Sequence, residues 1–243
     1  AVNPLNYRNW GGTFLPMIDN TIAAAQPERA RIVLPGTLYN YGPDVFPLVA
    51  EDAPQHPRTR KGAIRVAMER WLEDAARDDV AAALIVRAGD YFGPGKIANS
   101  WFSQMVKPGR KVSSITYPGL HEVGHAWAYL PDLGETVARL LEREDELAAF
   151  ERFHFAGHSV KRGIAFAEQI RAVLGRAVPI RRLPWMALRL IAPFAEPLRE
   201  TLEMRYLWSE ELLLDNRKLT QFLGEEPHTP IADALRATLS PAR

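Results

Sequence analysis

The 243-residue chain contains no cysteine, which excludes a disulfide framework, a thiol nucleophile and any cysteine-ligated metal. Neither charge is in real excess: 30 basic against 29 acidic side chains leave a formal net charge of +1, and no Lys/Arg block stands apart from acidic neighbours. Such a balance offers nothing to nucleic acid or to an anionic membrane and points to a small-molecule partner. No apolar run reaches the roughly 18 residues of a membrane span; Pro184, Arg189 and Pro193 interrupt the best stretch, Leu183 to Phe194. No export signal stands at the start, so a cytoplasmic setting is expected. The first residue is Ala1, not Met, which hints at a fragment. What is present, 47% hydrophobic residues at a mean hydropathy of −0.19, suits one well-buried domain or one plus a small lobe.

Periodicity orders the first half as helix, strand, helix, strand. Phe14, Met17, Ile18, Ile22 and Ala25 have helical spacing over Thr13 to Ala25, with Pro16 tolerable in a first turn. Arg31 to Leu34 is short and β-branched, and Pro35-Gly36 is expected to end it. From Lys61, residues Ile64, Met68, Trp71, Leu72 and Ala75 make an amphipathic helix, and Ala82 to Val86 is a buried-type strand. Trp101 to Val106 reads as helix, Val112 to Tyr117 as extended, Leu133 to Arg143 as helix and Arg152 to Phe155 as strand. Helices over Ser159 to Leu174 and Trp185 to Leu207, then a last pair ending near Leu239, complete the chain. The alternation predicts an α/β fold with a parallel sheet and crossover helices. A boundary is placed near residue 157, with a mainly helical lobe over 158–243.

His121-Glu122-Val123-Gly124-His125 matches H-E-x-x-H, which on a helix would bind zinc with the Glu as general base. The context opposes it. Pro118-Gly119 precedes the motif, Gly124 sits inside it, Pro131 follows closely, and Ala128 and Pro131 stand where the extended zinc-protease motif has its Gly and third His. A loop pair of histidines beside Trp127 and Tyr129 is expected, with no metal.

A second series is more informative. In Ile32-Val33-Leu34-Pro35-Gly36-Thr37-Leu38-Tyr39-Asn40-Tyr41-Gly42, a Thr stands four residues before Tyr-Gly. Glu51 to Pro57 is acidic and proline-bearing, Ile85 to Pro94 runs through Arg87 to a Gly-Pro turn, Ala128 to Glu135 carries Asp132, and Pro227-His228-Thr229-Pro230-Ile231 leads into a last helix. In this order they resemble the extended short-chain dehydrogenases, the NAD-dependent epimerase/dehydratase family. The resemblance implies a Rossmann-like sheet lacking its first strands, a helical substrate lobe that interleaves with it, and NAD or NADP as cofactor. It places Val2, Asn3 and Pro4 at the end of a strand beside the cofactor, with Arg65, Ala88 and Gly89 as further cofactor contacts. No G-x-G-x-x-G occurs, so these 243 residues alone are expected to bind no dinucleotide.

The family pairs a Tyr with a Lys one helical turn on; here Lys61 and Arg65 stand at those positions. The resemblance therefore implies Thr37, Lys61 and Arg65 as catalytic residues, a lysine beside a guanidinium being suited to proton donation. The competing reading is a solvated ladder of Lys61, Arg65 and Glu69 with Arg65 and Glu69 paired. Tyr39, Tyr41, Asp90, Tyr91, Asn99, Trp101 and His125 follow strand ends, where open α/β sheets hold ligands, and are the expected substrate contacts. The leading expectation is an NAD(P)-dependent epimerase, dehydratase or reductase of a small substrate, with homodimerisation through the helices at Thr13 to Ala25 and Lys61 to Asp78. A catalytically silent relative that binds a nucleotide or a partner protein, and more remotely the zinc hydrolase, are the alternatives.

Overall fold

The computed structural model describes residues 10–95, 100–106 and 112–240. The core sheet is parallel, in the order β1 (Ile32–Gly36), β3 (Ala83–Ala88), β7 (Phe150–Phe155). All six residues of β3 are buried, as the middle strand of a sheet covered on both faces must be. Its side chains alternate accordingly. Ala83 meets Phe14 and Ile18 of α1 (Trp10–Ala25) and Ile64, Met68 and Leu72 of α2 (Arg60–Arg77), whereas Leu84, Val86 and Ala88 meet Leu133 and Leu140 of α4 (Leu130–Leu141).

Beyond Gly89 the chain enters β4 (Asp90–Phe92), which runs parallel to β6 (His125–Tyr129); β6 in turn pairs antiparallel with β8 (His158–Val160). Two further parallel pairs join distant segments: β2 (Leu48–Val49) with β10 (Leu213–Leu214), and β5 (Ile115–Tyr117) with β9 (Ile180–Arg182). Helices α3 (Trp101–Met105), α5 (Ile164–Val173) and α9 (Ile231–Leu239) cover them, and α8 (Arg217–Leu223) packs on β7. The largest core lies here and is aromatic, with Phe92, Trp101, Phe102, Tyr117, Trp127, Phe166 and Trp208 in one buried cluster.

The structure departs from the sequence expectations in several places. Pro35 and Gly36 continue β1, in register with Val86 and Arg87; β1 is an outer strand among the described residues, where the missing proline N–H leaves no ladder bond broken. Ser159 is in β8, because pairing with Ala126 of β6 overrides its helical pattern. The helix expected over 185–207 is broken into α6 (Trp185–Ile191), a 3-10 turn at Ala192–Phe194, α7 (Glu196–Glu203) and a 3-10 turn at Met204–Trp208, since Pro193 and Pro197 cannot continue a helix and are tolerated in first turns. After residue 157, β8, β9 and β10 pair with strands before it. No helix among the described residues is long and apolar enough to cross a membrane.

Candidate active site

The parallel strands β1 and β3 end side by side, and α2 is drawn against that end. Thr59 caps α2, its Oγ1 accepting from the Gly62 N–H at 3.0 Å. Gly62 has a steric purpose: a Cβ there would stand 2.2 Å from the Tyr39 carbonyl oxygen and 2.6 Å from Pro57, so only glycine lets the first turn approach the Leu38–Asn40 turn this closely.

Beneath that turn lies a buried polar network. The Arg87 Nη2 group donates to both oxygens of Glu69 at 2.9 and 2.7 Å, and its Nη1 donates to the Thr37 carbonyl. Asn40 and Gln55 donate to the remaining lone pairs of Glu69 at 2.9 Å each. The Arg87 guanidinium also lies 4.9 Å from the centre of the Tyr41 ring, and the Tyr41 hydroxyl is 3.2 Å from His154 Nε2, whose Nδ1 is 3.0 Å from the Val49 carbonyl. The carbonyl can only accept, so Nδ1 carries the proton and Tyr41 donates to Nε2. Burial first, then the Arg87 charge, depress the His154 pKa to about 3.

The residues expected to be catalytic have the following surroundings. Lys61 is 2% exposed and its ammonium is 3.8 Å from Glu203 at the end of α7; Glu203 also accepts from the Arg60 N–H at 2.5 Å. Arg65, one turn on and half-buried, lies over the Phe14 ring at 5.0 Å. The Thr37 Oγ1 is buried with no hydrogen-bond partner among the described residues. The solvated ladder is thereby corrected: Lys61 and Glu69 are both buried and Glu69 pairs with Arg87, because the face carrying them turns toward the strand ends.

The other expected contacts divide. The Tyr91 hydroxyl donates to the Gly36 carbonyl at 3.1 Å, and burial pushes its pKa to about 12; it serves as a donor tying β4 to β1. Asp90 meets His125 Nε2 at 2.7 Å, and the imidazole stacks on Trp208 at 3.9 Å between centroids. Tyr39 is half-buried between two cores. Tyr41 is wholly buried with its hydroxyl spent on His154, and Trp101 packs in the aromatic core against Trp208, so both have core roles here. Ala88 is buried at the end of β3, while the Gly89 Cα abuts β6 so closely that a Cβ would lie 2.2 Å from the Ala126 carbonyl oxygen. Val2, Asn3, Pro4 and Asn99 lie outside the described residues.

His121 and Glu122 lie in a turn and His125 opens β6, which corrects the loop placement of His125. Helical geometry for H-E-x-x-H is absent, and Glu122 is spent on Arg162 at 3.2 Å. Among the described residues no group of three His, Asp or Glu is placed to hold a metal.

Sequence reasoning did not find Glu203, Asn40 or His154. One signal was readable: Arg87 interrupts an otherwise apolar strand, and a charge in a middle strand demands a buried partner.

The Thr37 hydroxyl, buried and unpartnered among the described residues, and the half-buried Arg65 guanidinium are groups that suit the amide and ribose hydroxyls of a nicotinamide nucleotide. A model described as the NAD dependent epimerase/dehydratase family matches residues 17–156. Among solved structures the fold is similar to a UDP-galactose 4-epimerase (20% identity, 98% of this chain and 74% of that one, TM-score 0.68). It is likewise similar to MoeE5 in complex with UDP-glucuronic acid and NAD (15% identity, 98% and 76%, TM-score 0.72). A third is RMD from Pseudomonas aeruginosa complexed with NADPH (16% identity, 98% and 77%, TM-score 0.71). A search of the curated proteins gives no match.

Proposed function

The chain belongs to the NAD dependent epimerase/dehydratase family, and on that premise we propose that it carries out an NAD(P)-linked epimerase, dehydratase or reductase reaction on a small hydroxyl- or carbonyl-bearing substrate. The observation that carries this reading is the burial of Lys61, 2% exposed in the first turn of α2 beside the end of β1, at the position where the family has its acid/base tyrosine.

When bound, the nicotinamide takes or returns a hydride. The residues of this chain supply the rest. Thr37 Oγ1 donates to or accepts from the substrate or the carboxamide, Lys61 holds the proton that moves on or off the substrate oxygen, and Arg65 binds a ribose hydroxyl. Glu203 supplies the countercharge to Lys61, bringing the lobe over the site. Asp90 orients His125 as a substrate contact. We further propose that the protein is a homodimer through α1 and α2.

Turnover is tested by following nicotinamide absorbance with the full native chain and a panel of carbonyl compounds. Lys61→Met should lower kcat by about 100-fold or more, the scale of a lost acid/base group, with cofactor affinity little changed. Glu203 also favours a second reading, the catalytically silent relative, because its carboxylate neutralises Lys61. Cofactor binding with no turnover on any of the panel would select that reading.

A further inference from the structure

Of the seven large apolar residues exposed among the described ones, four fall between 186 and 194: Met186 at 68%, Leu190 at 77%, Ile191 at 53% and Phe194 at 90% exposure. Met186 and Leu190 stand four residues apart on α6 and share one side, and Phe194 is exposed in the 3-10 turn that follows. Leu188 and Ala192, offset by two, lie on the other side, half-buried and buried. Trp185 anchors the helix by donating its indole N–H to the Pro118 carbonyl at 2.7 Å. This segment therefore presents its apolar side to solvent and is held there by its inner side. Such a contiguous patch marks an interaction surface.

The charges along the same stretch of chain choose the partner. Between Glu168 and Glu196 stand Arg171, Arg176, Arg181, Arg182 and Arg189, all exposed, and no acidic residue. The arginines are spaced two or more residues apart except for one pair, which is why the whole-chain balance conceals them. In a two-fold contact with a second copy the patch would face itself and bring arginine against arginine. An anionic lipid surface supplies what both features need, an apolar layer for the side chains and phosphate or carboxylate headgroups for the guanidinium groups.

We propose that α6 and the Ala192–Phe194 turn dock the protein on an anionic bilayer surface, Met186, Leu190 and Phe194 entering the acyl boundary and Arg181, Arg182 and Arg189 meeting headgroups. This revises, for one segment, the expectation of no membrane partner drawn from net charge.

The test is co-sedimentation of the full native chain with phosphatidylcholine vesicles, with and without about 30% phosphatidylglycerol. The protein should pellet with the anionic vesicles only and be released at about 0.5 M salt, where the Debye length falls to a few ångströms. Leu190→Asp with Phe194→Asp, and separately Arg181→Glu with Arg182→Glu, should each weaken binding about tenfold or more. These sites are exposed, and an unchanged circular dichroism spectrum checks the fold. Binding equal on neutral and anionic vesicles, no binding to either, or a Leu190→Asp variant that binds normally would overturn the proposal. A Leu190→Asp variant that turns a dimer into a monomer, with no vesicle binding by the native chain, would overturn it in favour of a second copy as the occupant.

Discussion

Arg87 of β3 grips Glu69 of α2 through two hydrogen bonds of 2.7 and 2.9 Å, with both side chains all but removed from water. The pair joins the middle strand to the helix that carries Lys61, and Asn40 and Gln55 complete the shell of Glu69. Removing one partner leaves the other charge buried and uncompensated, which costs about 3–5 kcal/mol. Arg87→Met or Glu69→Leu should therefore each lower the unfolding free energy by that order in urea titrations. The double variant should lose less than the sum of the two singles; strict additivity would show that the pair is not coupled.

How much of this was legible depended on what each residue type demands. The alternating strands and helices and the α/β class followed from local pattern. So did burial on α2, where the spacing of Ile64, Met68 and Leu72 marks the inner face. Glu203 was not legible, because no local pattern ties a glutamate to a lysine 142 positions earlier; the contact exists only when the lobe folds back. Ser159 was misread for the same reason, its strand being imposed by β6. The exposed side of α6 was hidden because composition counts apolar residues without saying which side they face.

Stability should fall with acid through histidines held neutral. Burial depresses His154 from 6.5 to about 3, and burial together with His228 depresses His158 to about 4. Below pH 6.5 the unfolded chain takes up protons that the native state refuses. Stability attributable to these two is therefore full above the unfolded value and is lost as pH drops from 6.5 toward 3 or 4. The denaturation midpoint in guanidinium should decline through this range, and His154→Gln, which keeps a donor and an acceptor but cannot titrate, should flatten the decline. An unchanged slope in His154→Gln would show that His154 does not drive it.

The proposed dimer would form through α1 and the outer side of α2. Trp71, 39% exposed, borders a groove with Pro57, Ala63, Ala67 and Arg70, the kind of aromatic anchor that dominates interfaces. Analytical ultracentrifugation should show a dimer, and Trp71→Asp should shift it to monomer while leaving the helical circular dichroism signal intact. A native chain that sediments as a monomer at tens of micromolar, roughly the range of a weak specific contact, would refute the interface.

If this fold serves a nicotinamide nucleotide, isothermal calorimetry of the full native chain with NADH and NADPH shows it most directly. Binding should be saturable, one nucleotide per chain, with a Kd on the order of micromolar, and be weakened several-fold by Thr37→Val, whose parent hydroxyl is buried without a partner among the described residues. No heat of binding from the full native chain with either nucleotide, up to about millimolar concentration, would contradict the claim.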